Sequence, residues 1–306
     1  MSLKIIHTKN LRWIDVVKPN QEDVEYLKRN FDFHPLDYQD IIGDSEHTKI
    51  ESHPTYTLVV LHFPVYDRIT KEIRPGEVDF FIGKDYVVTV HDGSMYTLVK
   101  LVNSNHTEAE TRKEFMSKNS GYLLYQVMEA LFRRSFPILD HISKDMNAIE
   151  KNIFHDLSVN MIEDISMMKR NIIDFRRIMK THHLVIKRLM HKKDNYLSFT
   201  DSKNYYNNLL EHSENIWDIL AIQKETIEAL QDANVSLATN RLNQTTKIVT
   251  VLSALFLPAT FVIFVFSMHA KGLPFETNPR GAWMIVIISI LSSTLMFLFF
   301  KAKKWF

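Results

Sequence analysis

Two uncharged apolar stretches near the C-terminus limit what this chain can fold into more than any other feature. The first covers residues 248–266 and reads IVTVLSALFLPATFVIFVF, and the second covers residues 282–300 and reads AWMIVIISILSSTLMFLFF. Nineteen residues of helix, at about 1.5 Å each, span roughly 28 Å, which is close to the bilayer hydrocarbon thickness of about 30 Å. We therefore predict two transmembrane helices, at 248–266 and 282–300.

The alternative is a pair of long buried helices in a soluble protein. The residues after the second stretch argue against it, because a basic and aromatic cluster of this kind anchors a helix end at a membrane surface. The cluster comprises Lys301, Lys303, Lys304 and Trp305.

Basic residues also predict the orientation of the two spans. Arg241 and Lys247 precede the first span and the basic tail 301–306 follows the second, whereas the loop 267–281 carries only Lys271 and Arg280. By the positive-inside rule both termini are cytoplasmic and the loop is external. The N-terminal sequence MSLKIIHTKN has no apolar core of a signal peptide. We expect a multi-pass protein of the cell (inner) membrane with a large cytosolic domain.

Residues 1–120 have the mixed pattern of a cytosolic α/β domain. The short runs LVVLHF at 58–63, VDFFI at 78–82 and YVVTV at 86–90 are β-branched or aromatic and predict strands. Pro19 followed by acidic residues predicts the start of a helix through Tyr26 and Leu27.

Residues 121–247 predict a long helical stalk region, because no glycine occurs between Gly121 and Gly272. We predict helices over 122–154 and 161–192, and a third that starts near Ser202 and continues into the first span. The fold class is then an α+β membrane protein. An apolar heptad seam on the third helix predicts helix packing through Leu209, Ile216, Leu220, Ile227, Leu230 and Leu237, with Ser213, Gln223 and Asn234 interrupting it.

The same helix carries a second line of residues with small polar side chains. Steps of four and three residues place them on one face. In a bilayer such a face contacts protein, water or an ion, and two helices per chain cannot enclose a water-filled path, so several copies must surround it. The alternative to a pore is that these serine and threonine hydroxyls only hydrogen-bond to the backbone carbonyl one turn back in their own helix. This polar stripe comprises Asp232, Ser236, Thr239, Asn243, Thr246, Thr250, Ser253, Leu257, Thr260 and Phe264, and it reaches Ser267.

Composition and motifs exclude several other classes of protein. The net charge is +1, with Lys+Arg 37 against Asp+Glu 36, so no basic field is available to hold nucleic acid. The absence of cysteine removes disulfides, thiolate metal sites and cysteine nucleophiles. No phosphate-binding glycine loop and no HExxH motif occurs, so we expect neither an enzyme nor a bound cofactor.

The residues in this order resemble the CorA-type divalent-cation channels over essentially the full chain. The likeness includes Trp13-Ile14-Asp15, Phe33-His34-Pro35-Leu36, Lys49-Ile50-Glu51, Phe63-Pro64, Val88-Thr89-Val90-His91 and Arg176-Arg177. It is strongest in Asn240-Arg241-Leu242-Asn243-Gln244, Lys247, Phe256-Leu257-Pro258-Ala259-Thr260-Phe261 and Lys303-Lys304-Trp305.

The resemblance implies a funnel-shaped homopentamer in which the long helix becomes the first span and lines the pore. The second span is then peripheral, and the polar stripe is the pore wall. It also implies passive, potential-driven transport of a divalent cation, with Mg²⁺ or Co²⁺ as cargo, and gating by divalent ions bound between cytosolic subunits.

One position departs from the family pattern. The family has Gly-Met-Asn at the outer end of the first span, and this chain has Ser267-Met268-His269. An amide ring suits Mg²⁺, whereas imidazole prefers Zn²⁺, Ni²⁺ or Co²⁺. His269 is thus a candidate metal ligand, with a solvated loop histidine as the alternative, and Glu276 is the acid of the external loop. A non-conducting or regulatory relative with an altered filter is the second hypothesis.

Overall fold

The computed structural model describes residues 3–43, 48–153, 159–191, 203–268 and 280–303. Its N-terminal part holds a six-stranded mixed sheet in the order β1-β2-β6-β5-β4-β3, in which only the β2–β6 pair is parallel among the described strands. The strands are β1 (Leu3–His7), β2 (Arg12–Val17), β3 (Lys49–Ser52), β4 (Tyr56–Tyr66), β5 (Ile73–Gly83) and β6 (Tyr86–His91).

Helices surround the sheet and continue to the C-terminus. Four short helices belong to the first 120 residues: α1 (Gln21–Asn30), α2 (Pro35–Asp40), α3 (Tyr96–Thr107) and α4 (Ala109–Phe115). The longer ones follow: α5 (Ser120–Asn152), α6 (Val159–Met179), α7 (His182–His191), α8 (Lys203–Ser267) and α9 (Gly281–Ala302).

The predicted strands are present because the sheet is covered on both faces. Leu58 and Val60 of β4 pack in one core with α1 and α2, while Phe63 points the other way and meets Phe132 of α5 with ring centroids 5.6 Å apart. A strand buried on both faces has no polar face, so it reads as a continuous apolar run. This is why LVVLHF, VDFFI and YVVTV are visible in the sequence.

The start of α1 is fixed by a capping box. The Asn20 side-chain oxygen accepts from the Asp23 backbone N–H at 3.0 Å, and the Asp23 carboxylate accepts from the Asn20 N–H at 3.2 Å. Two backbone donors that the first helical turn leaves open are thereby satisfied. The helix predicted after Pro19 therefore begins at Gln21, as expected.

A buried polar network joins the parallel strands β2 and β6. Trp13 Nε1 donates to Thr89 Oγ1 at 3.1 Å, and the Thr89 hydroxyl donates to Asp15 Oδ1 at 2.5 Å. His91 Nδ1 accepts from the Gly93 N–H at 3.0 Å, so His91 Nε2 carries the proton and donates to Asp15 Oδ1 at 3.2 Å. The two motifs at 13–15 and 88–91 therefore hold the sheet together rather than form a reactive site.

The long helical region differs from its prediction at one place. The first predicted helix, 122–154, corresponds to α5, but the second, 161–192, is broken at Lys180 and Thr181 into α6 and α7. Neither proline nor glycine marks the break. It carries His182 to a fully buried position, so tertiary packing rather than backbone propensity ends α6. Residues 154, 192 and 202, at the predicted helix ends, lie outside the described residues.

The chain divides into two compact units, Met1–Gln231 and Asp232–Phe306, and α8 contributes residues to both. Within the first unit the predicted seam is buried, and Gln223 ties it to α5. Its side-chain amide donates to the Leu139 carbonyl and to Ser143 Oγ, each at 2.9 Å. The buried seam residues here are Leu209, Ser213, Ile216, Leu220, Gln223, Ile227 and Leu230.

Candidate functional site

The second unit contains two helices that are long and apolar enough to cross a membrane. They are the C-terminal part of α8 and the whole of α9, and only 6% and 11% of their apolar windows is buried within the chain. Leu257 and Trp283 are 67% and 72% exposed. A buried core helix of a soluble protein would hide such side chains, so this exposure argues against the soluble alternative.

One face of α8 in this unit packs against α9. Ser293 of α9 donates its hydroxyl to the Leu255 carbonyl at 3.0 Å. The side of α9 that is turned inward includes Gly281, Ser289 and Ser293, and small residues of this kind let two helices approach closely. Between residues 251 and 266 of α8 the less exposed residues share one face, namely Val251, Ala254, Leu255, Pro258, Ala259, Val262, Val265 and Phe266.

The polar stripe lies on the opposite face of α8. At 100° per residue, Thr250 and Thr260 are turned away from the face that carries Val251 and Val262. Every stripe residue is exposed on the single chain: Asp232, Ser236, Thr239, Asn243, Thr246, Thr250, Ser253, Leu257, Thr260 and Phe264. The stripe is thus a free surface of the chain that α9 does not cover.

The hydroxyl groups of the stripe donate to the backbone of their own helix. Thr239 Oγ1 donates to the Val235 carbonyl at 2.8 Å, and Thr250 Oγ1 donates to the Thr246 carbonyl at 2.7 Å. Thr260 Oγ1 does the same one turn back, toward Leu257 at 2.9 Å. Such bonds are common in membrane helices whether or not the helix lines a pore. They use the hydroxyl proton and leave the lone pairs of each hydroxyl oxygen available as acceptors, which suit a hydrated cation.

The filter positions at the end of α8 are described only in part. Ser267 is its last residue and donates its hydroxyl to the Ile263 carbonyl at 2.9 Å. Met268 follows and is 65% exposed. The candidate metal ligand His269 and the loop acid Glu276 lie outside the described residues, as do Lys304 and Trp305 of the predicted anchor.

Acidic residues of α8 in the first unit lie mostly at its surface. Glu214 approaches His183 of α7 at 3.5 Å, and Glu228 approaches Lys224 at 3.4 Å. Exposed pairs of this kind contribute little free energy and are screened by salt. Their exposure is typical of a solvated helix face. The same face of α8 carries three further exposed acids, Glu211, Asp218 and Glu225.

The N-terminal domain has a cleft of about 1030 Å³ with mixed charge. Its lining includes the acidic residues Asp79 and Glu77 and the basic residues Lys18 and Arg177. Burial raises the pKa of the Asp79 carboxyl well above its usual range, and the charge of Glu77 raises it further. His62 lies 3.6 Å from Glu77. The charged form of the Asp79 carboxyl is therefore disfavoured in this cleft.

Comparison with known proteins places this architecture among transporters. A family model described as CorA-like Mg²⁺ transporter protein matches residues 8–303. The chain is similar to the cobalt/magnesium transport protein CorA of Thermotoga maritima, with 22% identity over 96% of this chain and 83% of that protein. It is also similar to the cobalt/magnesium transport protein CorA of Methanocaldococcus jannaschii, with 20% identity over 96% of this chain and 91% of that protein.

A solved structure shares the fold along nearly the whole chain. The complete structure of the CorA magnesium transporter from Methanocaldococcus jannaschii superposes with a TM-score of 0.84 at 18% identity, covering 97% of this chain and 92% of that one. The N-terminal α/β domain, the long helix and the two C-terminal apolar helices therefore form one known architecture, as the sequence predicts.

Proposed function

We propose, from the premise that this chain belongs to the CorA-like Mg²⁺ transporter family, that it conducts a divalent cation through a homopentameric pore. The family is one of ion transporters and not of enzymes. Movement is passive and follows the membrane potential, which supplies about 2.3 kcal/mol per elementary charge at 100 mV. No cofactor takes part, and the cation is the cargo.

The exposed polar stripe of α8 is the observation that carries this proposal. Within the span 248–266, Thr250, Ser253 and Thr260 form a face of oxygen acceptors that is costly against lipid, so it must adjoin protein or water, and Asp232 to Thr246 continue this face before the span. α9 occupies the opposite face, which leaves the stripe free for other copies of the chain. A closed ring around an axis gives each copy the same surroundings and encloses a path that one chain cannot.

The family and residues 267–269 together indicate which ion is transported. Relatives named as cobalt/magnesium transport proteins favour Mg²⁺ or Co²⁺. The imidazole of His269, where the family has an amide, favours Co²⁺, Ni²⁺ or Zn²⁺ over Mg²⁺. Because Mg²⁺ dehydrates reluctantly, the ring of residues at this position decides which of these ions enters.

The orientation follows from the positive-inside rule. The N-terminal domain and the tail 301–306 lie in the cytoplasm, and the loop 267–281 faces outward from the inner membrane of the cell. Cations then enter at residues 267–269 and leave past Asp232. The inside-negative potential draws a divalent cation in this direction.

Flux into proteoliposomes tests the conduction proposal. Purified protein reconstituted with an inside-negative potential should pass at least one of Mg²⁺, Co²⁺, Ni²⁺ and Zn²⁺, read by an ion-sensitive dye. Asn243→Leu should reduce this flux, because it replaces an amide on the stripe with an apolar group. Gln244→Leu is the matched control, since the same change one residue along lies about 100° away on the helix. Pentamers that pass none of the four ions would contradict the proposal.

The alternative function is a non-conducting or regulatory membrane protein of the same family. Ser267-Met268-His269 favours it, because Ser267 adds a side chain at the outer end of the first span, where the glycine of the family lets helices approach closely. Restoring the family signature at these positions separates the two functions.

A further inference from the structure

Three side chains with metal-binding atoms converge at one corner of the N-terminal domain. They are Asp37 of α2, Glu51 of β3 and His53, which follows β3 in the turn to β4. One ligand atom from each lies within 4.8 Å of the others. His53 Nε2 is 3.3 Å from Asp37 Oδ2 and 3.9 Å from Glu51 Oε2. The imidazole nitrogen is thus directed between two carboxylate oxygens.

Neighbouring groups hold each of these side chains in place. The Tyr56 hydroxyl donates to Asp37 Oδ2 at 2.5 Å and accepts from the His34 backbone N–H at 2.7 Å. The His53 ring stacks on the Tyr56 ring, with centroids 4.4 Å apart and planes 10° from parallel. On the other carboxylate, Lys49 Nζ lies 3.4 Å from Glu51 Oε1 and leaves Oε2 to face His53. Outer contacts of this kind orient metal ligands.

The distances between the ligand atoms of these side chains fit a small metal ion with tetrahedral coordination. Metal–ligand bonds of about 2.1 Å at tetrahedral angles put two ligand atoms ~3.4 Å apart, and the measured distances are 3.3 Å and 3.9 Å. We propose that Asp37, Glu51 and His53 bind one Zn²⁺ or Co²⁺ ion per chain. Two carboxylates and one imidazole form a mixed donor set that suits these ions better than Mg²⁺.

Burial of Asp37 is an independent reason for a cation at this point. Its side chain is 2% exposed, although it bears a carboxylate directed into the cluster. A buried carboxylate is stabilised by hydrogen bonds, such as the one from Tyr56, and further by a nearby positive charge. A divalent ion held by Asp37, Glu51 and His53 places positive charge beside the buried carboxylate, and three protein ligands leave the fourth position of a tetrahedral site to water.

This site is separate from the proposed pore. Its three ligands come from one chain and from the first compact unit, so binding needs no subunit interface. It also goes beyond the transport proposal, because its test measures bound metal and not flux. The two proposals can therefore fail independently.

Metal titration of the full-length protein in detergent tests the proposal, with ZnCl₂ in calorimetry and CoCl₂ in visible absorption as the two probes. We expect His53→Gln and Glu51→Gln to bind one Zn²⁺ fewer per chain than the wild type, and to lose the intense d–d bands of tetrahedrally bound Co²⁺. His183→Gln is the matched control, because His183 also approaches a carboxylate, at 3.5 Å from Glu214, but forms no group of three metal-binding side chains within the described part of the chain.

A milder substitution tests whether the hydrogen bond from Tyr56 orients Asp37 for metal binding. Tyr56→Phe should keep the stoichiometry and weaken Zn²⁺ binding about 10-fold, since it removes only the hydroxyl that orients Asp37. His53 and Glu51 are 21% and 44% exposed, so their variants should fold, and circular dichroism without metal checks this. Equal Zn²⁺ stoichiometry and equal Co²⁺ spectra in the wild type and His53→Gln would overturn the proposal.

Discussion

His182 lies edge-on to Phe63, with ring centroids 5.0 Å apart, and Phe132 of α5 closes on the imidazole at 5.4 Å. α7 begins at this histidine, so the break after α6 carries the ring into the core. Burial lowers the pKa of His182 to about 4, and the nearby His62 adds to the effect. The ring is therefore neutral in the folded protein at neutral pH.

We predict that His182 makes the protein less stable in mild acid. Its folded pKa lies below the unfolded value of about 6.5, so between these values the unfolded chain binds more protons and the free energy of unfolding rises with pH. The contribution lost between pH 7.5 and pH 5 is about 2 kcal/mol. Urea unfolding of the wild type and His182→Leu at both pH values measures it as the difference between the two proteins.

The exposed neighbour His183 provides the control for this pH effect. His183→Leu should retain the pH dependence of the wild type, because its ring is 36% exposed. An identical pH dependence in the wild type and His182→Leu would show that the buried ring does not resist protonation.

Asp15 should contribute more to stability than any exposed aspartate. Asp15→Ala leaves the Thr89 hydroxyl and His91 Nε2 buried without their acceptor, which costs about 3 kcal/mol. Asp85→Ala removes a surface pair with Arg12 at 3.2 Å and should cost less than about 1 kcal/mol. Thermal unfolding of the full chain measures both, and equal losses would contradict the structural role of the network.

The strands and helices predicted from sequence are those whose burial leaves a continuous or periodic signal. β4, β5 and β6 have two covered faces, and α8 has no glycine over its length and only one proline, Pro258. β3 was not predicted, because its four residues KIES alternate with little apolar character. The break before His182 was missed for a different reason. It depends on the aromatic pocket that receives the ring, and no local residue marks that pocket.

The same distinction applies to the candidate sites. The polar stripe is predictable because all its members belong to one helix with a fixed period. The cluster of Asp37, Glu51 and His53 is not, since α2 and β3 come together only in the folded domain. The part of this cluster that the sequence shows directly is the pair Glu51 and His53, two residues apart at the end of β3. Asp37 lay too far away along the chain to complete it.

Thr250 should matter for flux because of its position and not because of its local bond. Thr250→Val removes a stripe oxygen and should reduce cation flux roughly five-fold or more, as one lost contact is worth about 1 kcal/mol. Thr294→Val is the matched control, since Thr294 of α9 makes the same backbone bond, to Ile290 at 2.8 Å. Proteoliposome flux with equal protein loading compares them. An equal loss in both variants would indicate damage to the helices and contradict a role for the stripe.

Restoring the family signature should change which ion passes. The double variant Ser267→Gly, His269→Asn replaces the imidazole by an amide oxygen and removes the added side chain at residue 267. The ratio of Mg²⁺ flux to Co²⁺ flux should therefore rise at least about tenfold, which corresponds to a change in ion preference of ~1.4 kcal/mol. Ser267→Gly alone separates the steric effect from the ligand effect, because it leaves the histidine in place. If the wild type passes no ion and the double variant gains Mg²⁺ flux, the natural protein is non-conducting and only its filter has changed. If the ion preference of the double variant equals that of a conducting wild type, residues 267–269 do not select the ion.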